Sequence, residues 1–195
     1  MSERPVIQHL GRLPVDGTPP RDHGVVNARV AVVVGNPRPA SRTLAAATYL
    51  ARELTGRDPG LTVDLATLGA ALLDWADPGV AALVDEVGAA DLVVVASPTY
   101  KGTYTGLLKL FLDRFAGGTG LRGLAVPLLL GAGPQHQLAA ELTLRPVLTE
   151  IGATVPGRGL FVIDRHHDDP AAYADWLAAT SPVVGAFLRT REEVA

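Results

Sequence analysis

Four short apolar runs set the strongest limit on how this chain folds: ARVAVVV (28–34), DLVVVAS (91–97), LAVPLLL (124–130) and GLFVID (159–164). Their length and β-branched content suit strands. The near absence of polar alternation means that both faces of each strand are covered, as in a parallel sheet between two helical layers. A weaker run, LTVDLATL (61–68), alternates and suits a strand at the sheet edge. Helical stretches separate the runs. SRTLAAATYLARELTG (41–56) is rich in alanine and leucine and stops at Gly56. From Tyr104, the residues Leu107, Leu108, Phe111, Leu112 and Phe115 recur at spacings of three and four along one stripe. Further helices are expected near 78–88, 135–150 and 170–188. Five alternations of strand and helix predict an α/β fold with a doubly wound, five-stranded parallel sheet.

The chain of 195 residues suits one domain with a full core. Residues 1–27 carry Pro5, Pro14, Pro19, Pro20, Gly11, Gly17 and Gly24 with little periodicity, and are read as an arm outside the core fold of residues 28–190. The net charge of −3, with no cluster of lysine and arginine, leaves no electrostatic footprint for nucleic acid. No apolar run approaches the roughly 18 residues of a membrane span. The opening MSERPVIQHLGRLPVDG lacks the basic start and apolar stretch of a secretory signal. The absence of cysteine excludes disulfides, a thiol nucleophile and iron–sulfur ligation. A cytoplasmic protein is expected.

In such sheets, ligands bind beyond the carboxyl ends of the strands, where the strand order reverses. Three loops there invite attention. The first, GNPRPASRT, runs from Gly35 to Thr43. Its amides and the helix start behind Ser41 favour an anion. Ser41 and Thr43 add hydroxyls, Arg38 adds a guanidinium fork suited to phosphate oxygens, and Pro37 and Pro39 stiffen the loop. Helix capping alone would explain Ser41, but not the whole set. The second loop, in SPTYKGTYTGLLKLFLDR (97–114), turns at Pro98 and carries Tyr100 near several backbone amides, which suits a flat heteroaromatic ligand. Tyr104 is read as the start of the buried stripe, and Lys109 with Asp113 as a solvated pair. The third, LLLGAGPQHQ (128–137), has glycines at 131 and 133 that allow close approach of backbone to ligand. His136 replaces the third glycine of a dinucleotide fingerprint, so that motif is rejected; it is read as a residue at the start of a helix.

These three motifs, in this order and each after a strand, resemble the NAD(P)H-dependent FMN reductases of flavodoxin-like fold. The likeness is greatest to the reductase components of two-component alkanesulfonate-type monooxygenases, over roughly residues 28–165. The resemblance implies the strand order 2-1-3-4-5, the cofactors FMN and NADPH or NADH, and hydride transfer from nicotinamide C4 to flavin N5. It implies that reduced flavin passes to a partner monooxygenase, and that the chain assembles as a homodimer or homotetramer. It places the FMN phosphate on Arg38, Ser41 and Thr43. Pro98, Thr99, Tyr100 and Lys101 would contact the isoalloxazine and ribityl chain, and Gly131, Ala132 and Gly133 would line the ring. The family's first loop usually reads Gly-Ser-Pro-Arg; here Asn36 stands for the serine, and its amide retains donors for the ligand. Some relatives carry a tyrosine insertion that makes a π-helix in the fourth helix. Leu142 stands near that position here, which argues against one.

No acid–base dyad or activated nucleophile is evident, which fits chemistry carried by the cofactor. Pro146 lacks an N–H and clashes with the carbonyl of Leu142 in a regular helix, so a kink is expected between them. His166, His167, Asp168 and Asp169 are read as a solvated loop, with no metal expected. Two further readings remain open from the residues: a reductase of quinones, azo dyes or metal oxyanions that keeps its FMN, and a non-catalytic electron carrier.

Overall fold

A computed structural model describes residues 27–194. The expected arm therefore lies outside the described residues, apart from Asn27. Five parallel strands form one sheet: β1 (Val30–Val34), β2 (Leu61–Asp64), β3 (Leu92–Pro98), β4 (Leu124–Gly131) and β5 (Leu160–Ile163). Their order is β2-β1-β3-β4-β5, as the resemblance implied. The register sets Val32 beside Val94, Val94 beside Val126 and Leu128 beside Leu160. β2 lies at the edge, and only Val63 among its residues is buried.

The helices are α1 (Arg42–Thr55), α2 (Pro78–Gly88), α3 (Gly106–Leu112), α4 (Arg145–Glu150) and α5 (Ala174–Val194). Side-chain alternation along the strands sorts the core into two layers. Val30, Val32, Val34, Val94 and Val126 pack with Leu50 and Leu54 of α1 and with Val184 and Leu188 of α5. Ala31, Val33, Val93, Val95 and Leu129 pack with Val80 and Val87 of α2, Leu108 and Phe111 of α3 and Leu148 of α4. Both directions are buried, so the strands read as unbroken apolar runs.

Local chemistry sets the helix ends. The Ser41 hydroxyl accepts the Leu44 N–H at 3.3 Å, and Gly56 closes α1 at φ 74°. Asp77 caps α2, with Pro78 in the first turn. The stripe from Tyr104 is as expected: Leu108, Phe111, Leu112 and Phe115 are buried, while Tyr104 and Leu107 are half-buried. Lys109 and Asp113 form the expected ion pair.

The stretch 135–150 departs from the single helix expected. It opens as a short 3-10 turn, Pro134–His136, continues as a π-helix over Ala140–Leu144, and becomes regular only in α4. The expectation that Leu142 argues against a π-helix is thereby corrected. The Arg145 N–H bonds to the Ala140 carbonyl five residues back, so the wide turn ends one residue before Pro146. This is where a regular ladder would have met the proline ring. Tertiary contacts hold the turn. The Gly159 backbone presses on it so closely that a Cβ there would lie 2.6 Å from the Ala140 carbonyl carbon and the Glu141 nitrogen. Glu141 accepts the Gly159 N–H at 2.7 Å and pairs with Arg145 at 2.5 Å.

The Gly159 N–H holds the Glu141 carboxyl below its ordinary value of 4.5; partial burial opposes this, and Arg145 reinforces it. A depressed carboxyl stabilises the fold above its unfolded-state pKa and loses that contribution as pH falls through its folded value. Glu141→Gln keeps an acceptor for Gly159 but lacks the charge. It should be less stable than wild type by about 1 kcal/mol near neutral pH. The gap should close as pH falls below 4.5, as followed by urea unfolding across that range. A gap independent of pH would contradict an ionised clamp.

Candidate functional site

The carboxyl ends of β1, β3 and β4 lie side by side, because β3 pairs in register with both neighbours. The first loop leaves β1 at Gly35, whose N–H bonds to the Ala96 carbonyl at 2.8 Å. A Cβ at Gly35 would stand 2.4 Å from Leu108 Cβ, so only glycine lets α3 start against this loop. The buried Thr105 hydroxyl donates to the Gly35 carbonyl at 2.5 Å and accepts the Leu108 N–H at 3.1 Å, capping α3. The Thr105 N–H in turn donates to the buried Ser97 hydroxyl at 3.0 Å.

Within the first loop, the Asn36 carboxamide accepts the Arg38 N–H at 2.9 Å and donates to the Thr43 hydroxyl at 3.0 Å. Its amide thus folds the loop, with one side-chain hydrogen left over. Ala40, at φ 50°, gives its N–H to Asp64 at the end of β2, at 2.9 Å. Pro37 and Pro39 have no N–H. The backbone N–H groups of Ser41, Arg42 and Thr43 have no partner among the described residues, nor has the exposed Arg38 guanidinium. The Ser41 and Thr43 hydroxyls accept one bond each and keep their protons to donate. Free donors therefore converge where the positive end of the α1 dipole lies.

The second loop is locked to β4 by the Thr99 N–H, which donates to the Leu130 carbonyl at 2.6 Å. Tyr100 and Thr103 then exchange backbone hydrogen bonds of 2.9 and 3.3 Å across Lys101 (φ 55°) and Gly102 (φ 86°). Two positive φ values make this a type I′ hairpin turn, which suits glycine and strains lysine by about 1 kcal/mol. Strain of this kind gathers at functional sites. Tyr100 stands 52% exposed, its ring largely unpacked.

The third loop carries Gly131, Ala132 and Gly133 into the 3-10 turn. A Cβ on Gly131 would lie 2.5 Å from the Phe161 ring, so packing against β5 requires this glycine. His136 is half-buried, and its ring lies within about 4 Å of where a Gly102 Cβ would be, which brings the second and third loops together. Between them, the Thr99 hydroxyl oxygen is buried without a partner.

Residues 164–169 follow β5 as a 3-10 turn and a short loop. Asp164 pairs with Arg42 at 2.5 Å, and the fully buried Tyr173 donates its hydroxyl to the His167 carbonyl at 2.6 Å. Burial pushes the Tyr173 hydroxyl's pKa well above its ordinary value. Among the described residues no group of three or more His, Cys, Asp or Glu is placed to hold a metal.

Sequence reasoning missed Asp64, Ser97 and Thr105. Thr105 carried a signal, as a hydroxyl residue directly before a helical stripe. Ser97, a polar residue ending a valine run, carried a weaker one. Asp64 carried none, because its partner Ala40 lies 24 positions away.

The family model described as NADPH-dependent FMN reductase matches residues 28–168. An FMN reductase (NADPH) of Escherichia coli strain K12 is 30% identical over 148 residues, covering 71% of this chain and 78% of that protein. The NADH-dependent FMN reductase SfnF of Pseudomonas putida is 31% identical over 174 residues, covering 83% of this chain and 93% of that protein. Among solved structures, the apo form of the NADH:FMN oxidoreductase EMOB superposes with a TM-score of 0.71 at 29% identity, covering 84% of this chain and 90% of that one. A parallel sheet in the order 2-1-3-4-5, a donor-rich loop at its first strand and a model match over most of the chain agree: the protein belongs to the NADPH-dependent FMN reductase family.

Proposed function

We propose that the chain is a cytoplasmic NAD(P)H-dependent FMN reductase that binds FMN at the three loops and releases it reduced to a flavin-dependent monooxygenase. The observation that carries this reading is the set of unpartnered donors between Arg38 and Thr43, together with the partnerless Thr99 hydroxyl in the second loop. The first loop supplies what a phosphate dianion needs: a guanidinium, two hydroxyl protons, three backbone N–H groups and a helix N-terminus. The second and third loops supply the ring site. Tyr100 and the Tyr100–Thr103 hairpin offer an aromatic edge and a narrow floor. The N–H groups of Lys101, Gly102, Ala132 and Gly133, without partners among the described residues, can meet negative charge developing on the ring edge. Pro98 ends β3 and turns the chain toward this space.

FMN held at these loops would supply the redox chemistry, as acceptor of the hydride that a reduced nicotinamide gives up. The chain orients the rings and stabilises charge; no side chain needs to act as acid or base. Of the described residues, no helix is long and apolar enough to cross a membrane. For self-association as a homodimer or homotetramer, the reading points to Leu138 and Leu142. They are 50% and 66% exposed and lie four residues apart, Leu138 just before the π-helix and Leu142 within it.

Oxidation of NADPH and NADH by purified protein, with and without added FMN, tests the activity. Strong stimulation by FMN in a protein that purifies colourless supports a flavin-releasing reductase. A yellow protein active on quinones without added FMN favours the retaining reductase, and no oxidation under any condition removes the enzyme reading.

Arg38→Ala should weaken FMN about tenfold, the worth of one partly exposed charge-assisted bond. Riboflavin, which lacks the phosphate, should be unaffected; flavin fluorescence quenching measures both. Thr99→Val removes a hydroxyl that gains nothing in the free protein. It should leave the free protein as stable or about 1 kcal/mol more so, while weakening flavin binding several-fold. Thermal unfolding with a parallel FMN titration shows whether the two effects diverge.

A further inference from the structure

Asp64 ends β2, and one oxygen of its carboxylate reaches across to the first loop. We propose that Asp64 is a positioning residue that sets the hold of the first loop on a flavin phosphate. It shapes the loop through a hydrogen bond, and its negative charge keeps the hold loose enough for the flavin to leave. The inference rests on the reading of that loop as a phosphate cradle.

Ala40 and Lys101 are the two non-glycine residues at positive φ among those described. Lys101 belongs to a hairpin turn that demands this conformation. Ala40 lies in the tight turn formed with Pro39, and the Asp64 Oδ2 fastens that turn to β2 by accepting the Ala40 N–H at 2.9 Å. The bend directs the chain from Pro39 into Ser41, where the free N–H groups begin. Asp64 is itself fixed. Its Oδ1 caps the 3-10 turn Leu65–Thr67 through the Ala66 N–H at 3.4 Å, and its carbonyl accepts the Thr67 hydroxyl at 2.7 Å. The edge strand therefore acts as a fixed post for the loop.

The same carboxylate carries a charge that no cation offsets. Among the described residues, Asp64 has no lysine, arginine or histidine at ion-pair distance, whereas Asp58, Asp91, Asp113 and Asp164 all do. Ala40 is one residue from Ser41 and three from Thr43. With about 3.8 Å between successive Cα atoms, the carboxylate lies within roughly a Debye length of any anion in the cradle. A phosphate dianion there is held by Arg38 and the start of α1, and repelled by Asp64. A reductase that hands on its product gains from that balance, because departure of the flavin must not limit turnover.

Substitution separates the two contributions. Asp64→Asn keeps an oxygen for the Ala40 N–H and loses the charge; Asp64→Ala loses both. FMN and riboflavin affinities follow from fluorescence quenching, and release rates from stopped-flow displacement, at low salt and near 1 M salt. Asp64→Asn should bind FMN about three- to tenfold more tightly than wild type at low salt. Its release should slow in proportion, riboflavin affinity should be unchanged, and the gain should vanish at high salt. Asp64→Ala should bind FMN at least about fivefold more weakly than Asp64→Asn, reporting the lost hydrogen bond. If wild type prefers FMN to riboflavin but Asp64→Asn binds FMN no more tightly, or its gain survives high salt, the charge role is overturned. Equal affinities of the Asn and Ala variants overturn the positioning role. A wild type that binds FMN no better than riboflavin overturns the phosphate cradle itself, a distinct result that needs no Asp64 variant.

Discussion

A Cβ at position 35 would lie 2.4 Å from Leu108, and the space left by its absence lets α3 begin directly against the end of β1. The arrangement of the loops at the carboxyl edge of the sheet follows from that approach. It puts the Thr105 hydroxyl within reach of the Gly35 carbonyl and the Thr105 N–H within reach of Ser97. The first and second loops thus become one hydrogen-bonded unit, with Thr105 buried between them. A second link, from the Thr99 N–H to Leu130, joins β4 to the same unit. Loops fixed in this way are ordered before a ligand arrives, so less binding free energy is lost to ordering them.

The first loop is selective about which donors it leaves open. Two of its positions are prolines, Asn36 occupies the Arg38 N–H, and Asp64 occupies that of Ala40. Apart from that of Asn36, the remaining N–H groups belong to the start of α1 and its cap, where the helix dipole favours negative charge. The hydroxyls of Ser41 and Thr43 each accept one bond from the protein and retain a proton to donate. Rigidity and anion preference come from the same few bonds. Arg38 stands exposed in this loop and the Asp64 carboxylate is bonded to it through Ala40, so the loop carries charges of both signs.

The π-helix shows how a tertiary contact overrides a local pattern. A proline at 146 is incompatible with a regular ladder reaching the Leu142 carbonyl, but proline alone does not choose between a kink and a wider turn. Gly159 and Glu141 decide it. The bare backbone of the segment before β5 lies against Ala140 and Glu141, and the Glu141 carboxylate closes over the Gly159 N–H. No side chain at position 142 is needed to make the turn. Leu142 is instead left facing outward together with Leu138.

The sequence by itself determined the sheet, its strands and most helix ends, because these depend on periodicity and on neighbours a few positions apart. Unbroken valine and leucine runs follow from burial on both faces, Ser41 and Gly56 mark the ends of α1, and Pro78 marks the start of α2. The loops that gather at the carboxyl edge of the sheet were legible for the same reason: Arg38, Ser41 and Thr43 lie within one short motif. What only the tertiary structure decided are interactions between residues far apart in the chain. Asp64 with Ala40, Thr105 with Gly35 and Glu141 with Gly159 are separated by 24, 70 and 18 positions. Position 131 makes the same point: its glycine reads as an opening for a ligand, yet the Phe161 ring of β5 requires it. Such pairs leave no periodic trace, because each residue satisfies local rules in several ways, and only the packed sheet brings its partner to it.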